Sequence, residues 1–381
     1  MPKRKMGRRR DSGWWQRMLR APSHRLTSAQ LSSGRGDMHR RKFLIAVAGM
    51  IAAPGVVRAK QQFDGTVLNI NGYGGDYDRL LNEYVAKPLR ERTGLQVKYQ
   101  PGQASAAVAK LIASKDNPPF DLIMADSPNM PDIIANDLVE KITEAEVKNI
   151  AKLKPSVREF GDYGVPYLTN AIILACNSKY VKRPLSSYND LARADLKGKL
   201  ALISPENTGG LLTLLGIGAA TGGDVNNLAP AFSFLSSIKA NIATISPATT
   251  NLAQLYQQEE VWAGPFWDGR TYSIRQGGTP LATVLPKEGV FGLLNYVGLV
   301  KNSKNREAAL AYIDQALSDE AIGPLVEFFR YSPVTKISVS DAVARDLVFK
   351  GDTLDGFKKV DWEKVAKSRS LWSEEFNKAM R

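Results

Sequence analysis

Three stretches of the sequence combine small residues, a carboxylate or amide, and backbone N–H groups in a way that suits holding a polar ligand. They are Tyr73-Gly74-Gly75-Asp76, Asp126-Ser127 and Asn207-Thr208-Gly209-Gly210. Each follows an apolar run and precedes a helical pattern, and free N–H groups at a helix start favour polar or anionic groups. A fourth stretch, Phe266-Trp267-Asp268-Gly269-Arg270, adds an indole face that can lie against an aliphatic chain or a cation. Tyr73, Tyr167, Tyr296 and Tyr331 also fall at element ends or breaks. Two chemistries compete for these residues. One is capture of a small polar solute. The other is hydrolysis by paired carboxylates, for which Asp76, Asp126, Glu206 and Asp268 are available. Those acids lie in separate segments, and each serves equally well as a helix cap or a solvated acid. Trp267 has a competing reading as a core or lobe-interface residue.

Other chemistries are excluded by residue type. The two histidines, His24 and His39, lie before residue 60, and the single cysteine is Cys176. If the front of the chain is removed, a Ser-His-Asp triad, a Cys-His pair, a Cys/His zinc cluster and an internal disulfide are all impossible. Gly72-x-Gly74 continues with Tyr77 where a dinucleotide fingerprint needs its third glycine, and there is no Gly-Lys-Ser/Thr phosphate loop. No cofactor is expected.

The 381 residues carry 51 Lys+Arg and 38 Asp+Glu, a formal +13. Residues 1–59 hold 14 of those bases and only 2 of the acids, so residues 60–381 are close to neutral. A nucleic-acid-binding body with a broad basic face is therefore not expected, although the leader 1–37, with Arg8-Arg9-Arg10 and Trp14-Trp15, keeps a nucleic-acid or surface-binding alternative open. Residues 38–59 read as a secretory signal. Arg40-Arg41-x-Phe43-Leu44 is twin-arginine-like, 43–57 is an uncharged run of 15 residues, and Val57-Arg58-Ala59 offers small residues for cleavage near Ala59. That run is short for a membrane span of about 20 residues. Two readings stay open for 1–37: an over-extended frame ahead of a start at Met38, or a long basic leader. Residues 60–63 offer no cysteine for a lipid anchor. The product is expected free in the periplasm, with Cys176 a buried, isolated thiol.

The elements that must position these residues alternate between strand and helix. Strands are predicted at 66–70, 95–99, 120–124, 171–175, 199–203, 281–285 and 296–300. Helices are predicted from residue 76 to a stop at Gly94, with a kink at Pro88, and at 104–113, 211–220 and 307–317. This alternation argues for parallel α/β sheets, with candidate sites just past the C-terminal ends of strands. Some 320 residues exceed one core, so two lobes are expected.

Several stretches together resemble bacterial extracellular solute-binding proteins of ABC importers, especially the spermidine/putrescine-binding type. They are Gly164-Val165-Pro166-Tyr167, Trp267-Asp268-Gly269-Arg270, Pro286-Lys287-Glu288-Gly289, 296–300 with Lys304 to Ala309, and Tyr331-Ser332-Pro333-Val334. The resemblance implies a two-lobed periplasmic-binding-protein fold of type II, α/β in each lobe, joined by crossing strands near 172–177 and 293–300. Lobe 1 would be 60–174 plus 298–332, and lobe 2 would be 175–297 plus 333–381. It further implies a monomer that is no enzyme, binds a solute between its lobes and meets the membrane only through the permease. By position Trp267 would stack on the solute, Tyr73 and Asp76 match the first-strand loop and Asp126-Ser127 the second; with the other strand ends and breaks, the expected ligand-binding set is Tyr73, Gly74, Asp76, Asp126, Ser127, Tyr167, Asn207, Thr208, Gly209, Trp267, Asp268, Arg270, Asn295 and Tyr331. Where polyamine binders have Trp-x-Asp this chain has Leu293 and Asn295, and the acidic pair near 205–210 is reduced to Glu206. Losing carboxylates weakens the case for a dication. Arg270 and the 207–210 helix start could face a carboxylate or phosphonate, so an amino-acid- or opine-like zwitterion stands beside a polyamine as the expected solute.

Overall fold

The computed structural model describes residues 61–351, 354 and 356–381. The leader, the signal segment, the cleavage region and both histidines lie outside the described residues.

The described residues form one compact unit built on a sheet of 11 strands. The strands are β1 (Val67–Gly72), β2 (Gln96–Pro101), β3 (Leu122–Asp126), β4 (Val165–Asn177), β5 (Leu200–Ile203), β6 (Ile242–Ser246), β7 (Ala263–Trp267), β8 (Leu281–Val284), β9 (Val290–Leu299), β10 (Ser332–Pro333) and β11 (Phe357–Lys358). Their order is β2-β1-β3-β9-β4-β7-β5-β6, with β8 and β10 also on β4, and β11 on β9. The expectation of parallel sheets holds for β1 with β2 and β3, and for β5 with β6 and β7. It fails at the centre, where β9 is antiparallel to β3 and β4, and β4 is antiparallel to β7 and β8.

The failure has a physical reason. β4 serves both halves of the sheet. Its residues 165–172 pair with β9, 172–176 with β7, and 174–177 with β8. Covered on both faces, it reads as an apolar run, and Leu168 and Ala171 to Ala175 are fully buried. Cys176 near its end is buried with no disulfide.

Between β1 and β2 the helical pattern behaves as its residues dictate. Pro88 has no N–H for the Tyr84 carbonyl and its ring would strike that group. The chain answers with a π turn at Asn82–Ala86, flanked by the helices Gly75–Leu81 and Lys87–Thr93. The Gln315 amide donates to the Tyr84 carbonyl at 3.3 Å. Gly94 stops the second helix at φ 80. The helix Thr208–Thr221 has no polar face. Every residue from Gly209 to Gly218 is buried, as an all-round apolar helix requires. The helix Trp362–Met380 packs on the helix Ala229–Ser237, where Ser236 donates its hydroxyl to the Ala379 carbonyl at 3.1 Å, and also on residues 127–135.

Candidate functional site

Register brings distant residues onto one face. Partners in an antiparallel ladder share a face, and residues two apart on a strand do too. Asp126 of β3 pairs with Asn295 of β9, and Asn295 with Leu168 of β4. Asn170 pairs with Leu293, and Ile172 with Trp267 of β7. Asp126, Asn295, Asn170 and Trp267 therefore stand in one row across four strands. A register shift between Pro166 and Leu168 makes Tyr167 a bulge, which sets Asn170 in phase with Asn295.

Aromatic rings close over this row. Tyr73 follows β1, and its ring lies 4.9 Å, edge to face, from Tyr77. Tyr77 leans on Phe329 at 5.2 Å, and Phe329 stacks on Tyr331 at 5.1 Å and 13°. Tyr73, Tyr77, Phe329, Tyr331, Arg270 and Tyr272 are among the residues lining a cavity of about 540 Å³, within the size range of small-molecule sites. Gly269 permits the approach, because a side chain there would meet the Tyr331 ring at 2.5 Å and the Phe329 carbonyl at 2.7 Å.

Two carboxyls beside the cavity are shifted by burial. Asp126 Oδ1 accepts from the Tyr73 hydroxyl at 2.8 Å and from Asn295 Nδ2 at 2.8 Å. Burial still holds its carboxyl above the usual range, and those two hydrogen bonds offset the shift only in part. Asp268 is 4% exposed. Its Oδ1 accepts from the Gly269 N–H at 2.8 Å, while Oδ2 makes no hydrogen bond of acceptable geometry among the described residues. Burial pushes its pKa up to about 7, with the backbone N–H groups of Gly269 and Ala171 pulling back only part. Asn170 Oδ1 and Asn295 Oδ1 are likewise buried acceptors without a partner among the described residues. Buried acceptors gathered in this way suit a partner rich in N–H donors.

The residues singled out in the sequence fall into distinct places. Tyr73, Gly74, Asp76, Arg270 and Tyr331 line the cavity. Asp126 and Asn295 join it through the Tyr73 hydroxyl. Asp268 adjoins it through Gly269, and its charge acts on Tyr331. Asp76 is exposed and held by Arg79 at 3.0 Å, so it marks the rim. Tyr167 is fully buried and backs Tyr77 from 6.4 Å. Ser127 is buried, and its hydroxyl donates to Glu159 at 2.9 Å and accepts from the Leu294 N–H at 2.9 Å, which ties β3 to β9. Asn207 caps the helix Thr208–Thr221 by accepting from the Gly209 N–H at 2.8 Å. Trp267 is half-buried, and a side chain at Gly209 would meet its ring at 3.1 Å, so indole and helix start are packed together.

Sequence reasoning missed Tyr77, Asn170 and Phe329 as site residues. Tyr77 enters the sequence reading only as the residue that breaks a dinucleotide fingerprint. The signal for Asn170 was present: Thr169-Asn170 interrupts the apolar run of β4.

Gly210 carries a stability prediction. A Cβ there would collide with the Ser204 carbonyl and approach Pro205 N at 2.6 Å, backbone atoms that cannot swing aside. Gly210→Ala should destabilise the protein by about 1–3 kcal/mol in urea unfolding. An unchanged midpoint would mean that the 204–210 turn yields freely.

Comparison with known proteins places the chain in a family and its fold among solved structures. Residues 84–350 match the model of the bacterial extracellular solute-binding proteins. The chain is 26% identical over 313 residues to a spermidine/putrescine-binding periplasmic protein of Escherichia coli, covering 78% of this chain and 88% of that one. It is 24% identical over 345 residues to a putative 2-aminoethylphosphonate-binding periplasmic protein of Salmonella typhimurium, covering 87% and 95%. A solved spermidine/putrescine ABC transporter substrate-binding protein from Streptococcus pneumoniae superposes with a TM-score of 0.70 at 17% identity, over 83% of this chain and all of that one. The α/β, two-lobed fold expected from the sequence is the fold of this structure. The chain belongs to the bacterial extracellular solute-binding protein family.

Proposed function

We propose that this protein is the periplasmic receptor of an ABC importer, and that it captures a small organic solute bearing an ammonium group and releases it unaltered. The observation that carries the reading is the cluster of buried side-chain oxygens on one face of the sheet and beside it, Asn170 Oδ1, Asn295 Oδ1 and the Asp268 carboxyl, next to the raised carboxyl of Asp126. An ammonium brings three N–H donors and a positive charge to a site that offers acids and ring faces. Relatives named as binders of spermidine/putrescine and of 2-aminoethylphosphonate support a nitrogen-containing solute.

Asn295 inclines the choice away from a dication. It lends Asp126 an amide donor where a second carboxylate would give a second cation its counter-charge. A zwitterion, with its acid facing a basic side chain beside the cavity, fits better. In this proposal the lobes are 60–174 plus 298–332 and 175–297 plus 333–381, and they close about β4 and β9 by a hinge. Export through residues 38–59, action as a monomer and delivery to a permease complete it. Among the described residues no helix is long and apolar enough to cross a membrane.

A thermal-shift screen of the purified protein against amines, amino acids, opines and phosphonates tests the reading. Solutes with an ammonium group should raise the midpoint by mass action. A screen in which no ammonium compound does so, while uncharged sugars do, would refute it. The pKa of Asp268 near 7 also suits a general acid, which favours the hydrolase as second reading. Sustained turnover of a chromogenic glycoside or ester, lost in Asp126→Asn or Asp268→Asn, would establish that one instead.

Trp267 lies on the same face as Asn170 and Asp126, with its indole against Gly209. Trp267→Ala should weaken solute binding by about 1–3 kcal/mol, the range for truncating an aromatic anchor. An unchanged titration would make Trp267 part of the packing alone.

A further inference from the structure

Arg330 follows the helix Asp319–Phe329 at φ 57, in the left-handed region where glycine is the ordinary choice. An arginine at that position holds strain that a glycine would remove, so something other than the backbone accounts for it. Its side chain is 12% exposed, and its guanidinium lies 4.6 Å from the centre of the Tyr272 ring. Nε and Nη1 are buried without a hydrogen-bond partner among the described residues. The carboxylate that reaches Arg330 is Asp346, 3.5 Å from Nε, and Asp346 is already held by Arg275 at 2.6 Å. Two guanidiniums share one carboxylate, which leaves a positive charge over.

A second cavity of about 460 Å³ lies here, with Arg330, Arg79, Tyr84 and Glu327 in its lining. Arg79 is taken up by Asp76, and Glu327 is exposed. Tyr272 and Phe328 line this cavity and the aromatic one, and form the wall between them. The acceptors Asp126, Asn170, Asn295 and Asp268 are buried behind the aromatic cavity, next to Tyr73, Tyr331 and Gly269, which line that cavity alone, and the Arg330 donors belong to the lining of the other. A ligand that satisfies both sides has an ammonium at one end and an acid at the other.

We infer that Arg330 receives the acidic end of the solute, a carboxylate or phosphonate, and so selects zwitterions over simple amines. The inference rests on the reading that the site binds an ammonium solute. It assigns the acid to Arg330 in place of Arg270, whose exposed side chain remains hydrated at the rim. The chain joining the two ends of the solute runs past Tyr272 and Phe328.

Calorimetry on the full chain with 4-aminobutanoate and propylamine, which differ only by the carboxylate, tests this. The intact protein should bind the zwitterion about 10- to 100-fold more tightly, the scale of a lost charged partner. Arg330→Gly suits the backbone at this position and should fold. It should bring the two affinities together by weakening the zwitterion while leaving propylamine within about twofold, and Arg330→Lys should restore part of the preference. Equal affinities in the intact protein, or a preference that survives Arg330→Gly and disappears in Arg270→Gln, would overturn the assignment while the ammonium reading stands. Failure of both probes to bind the intact protein would remove the ammonium reading, and the role of Arg330 with it.

Discussion

Asp126→Asn should weaken solute capture by about 200- to 5,000-fold, because removing one member of a buried charge pair costs about 3–5 kcal/mol. The geometry explains why this position should dominate. Asp126 ends β3, shares a face with Asn295 and is fixed by Tyr73 and Asn295 at 2.8 Å each. The empty protein should respond in the opposite sense. Burial raises the Asp126 carboxyl, so its ionised form opposes folding, and a neutral amide of equal size removes that penalty. Calorimetric titration together with urea unfolding of the empty protein checks both halves. Loss of binding with equal or greater stability is the expected outcome. Unchanged affinity would take Asp126 out of the site, and loss of both would indicate disrupted folding.

Asp268 should make the empty protein less stable as pH rises. Its carboxyl ionises near 3.8 when exposed and near 7 in the folded chain. A group whose folded value is raised stabilises fully below the unfolded value, and that contribution is lost as pH climbs through the folded one. The interval is about three units, so the loss between pH 4 and pH 7 is about 4 kcal/mol at 1.36 kcal/mol per unit. Asp126 is shifted the same way and adds to the slope. Asp268→Asn should flatten the profile in that window. Solute binding carries the opposite pH dependence. A cation prefers the ionised acid, so affinity should rise from pH 6 to pH 8, and Asp268→Asn should remove most of that rise. Urea midpoints and titrations measured at each pH decide it. An equally steep stability profile in the variant would place the titrating group elsewhere.

Much of the fold was legible because local chemistry agrees with it. The helix predicted at 104–113 is found at Ala104–Ala113. Gly94 stops its helix, and the strand ends at Tyr73, Asp126 and Trp267 are where cavity and acids gather. What could not be read was non-local. The antiparallel crossing of β4 and β9 depends on which strands meet, and the run 165–177 looks like any buried strand. The bulge at Tyr167 decides which face Asn170 occupies, and a one-residue shift would reverse it. Ser127 and Asp76 have the residue types of a polar site, but Glu159 and Leu294 engage the first and Arg79 the second. Arg330 drew no attention because a left-handed arginine shows only in the backbone.

Mass spectrometry of the small molecule released by heating the purified, loaded protein tests the central claim most directly. One nitrogen-containing solute per chain should be recovered, chemically identical before and after long incubation. Release of an altered product in amounts that grow with time beyond one per chain would show catalysis, and would contradict a receptor that returns its solute unchanged.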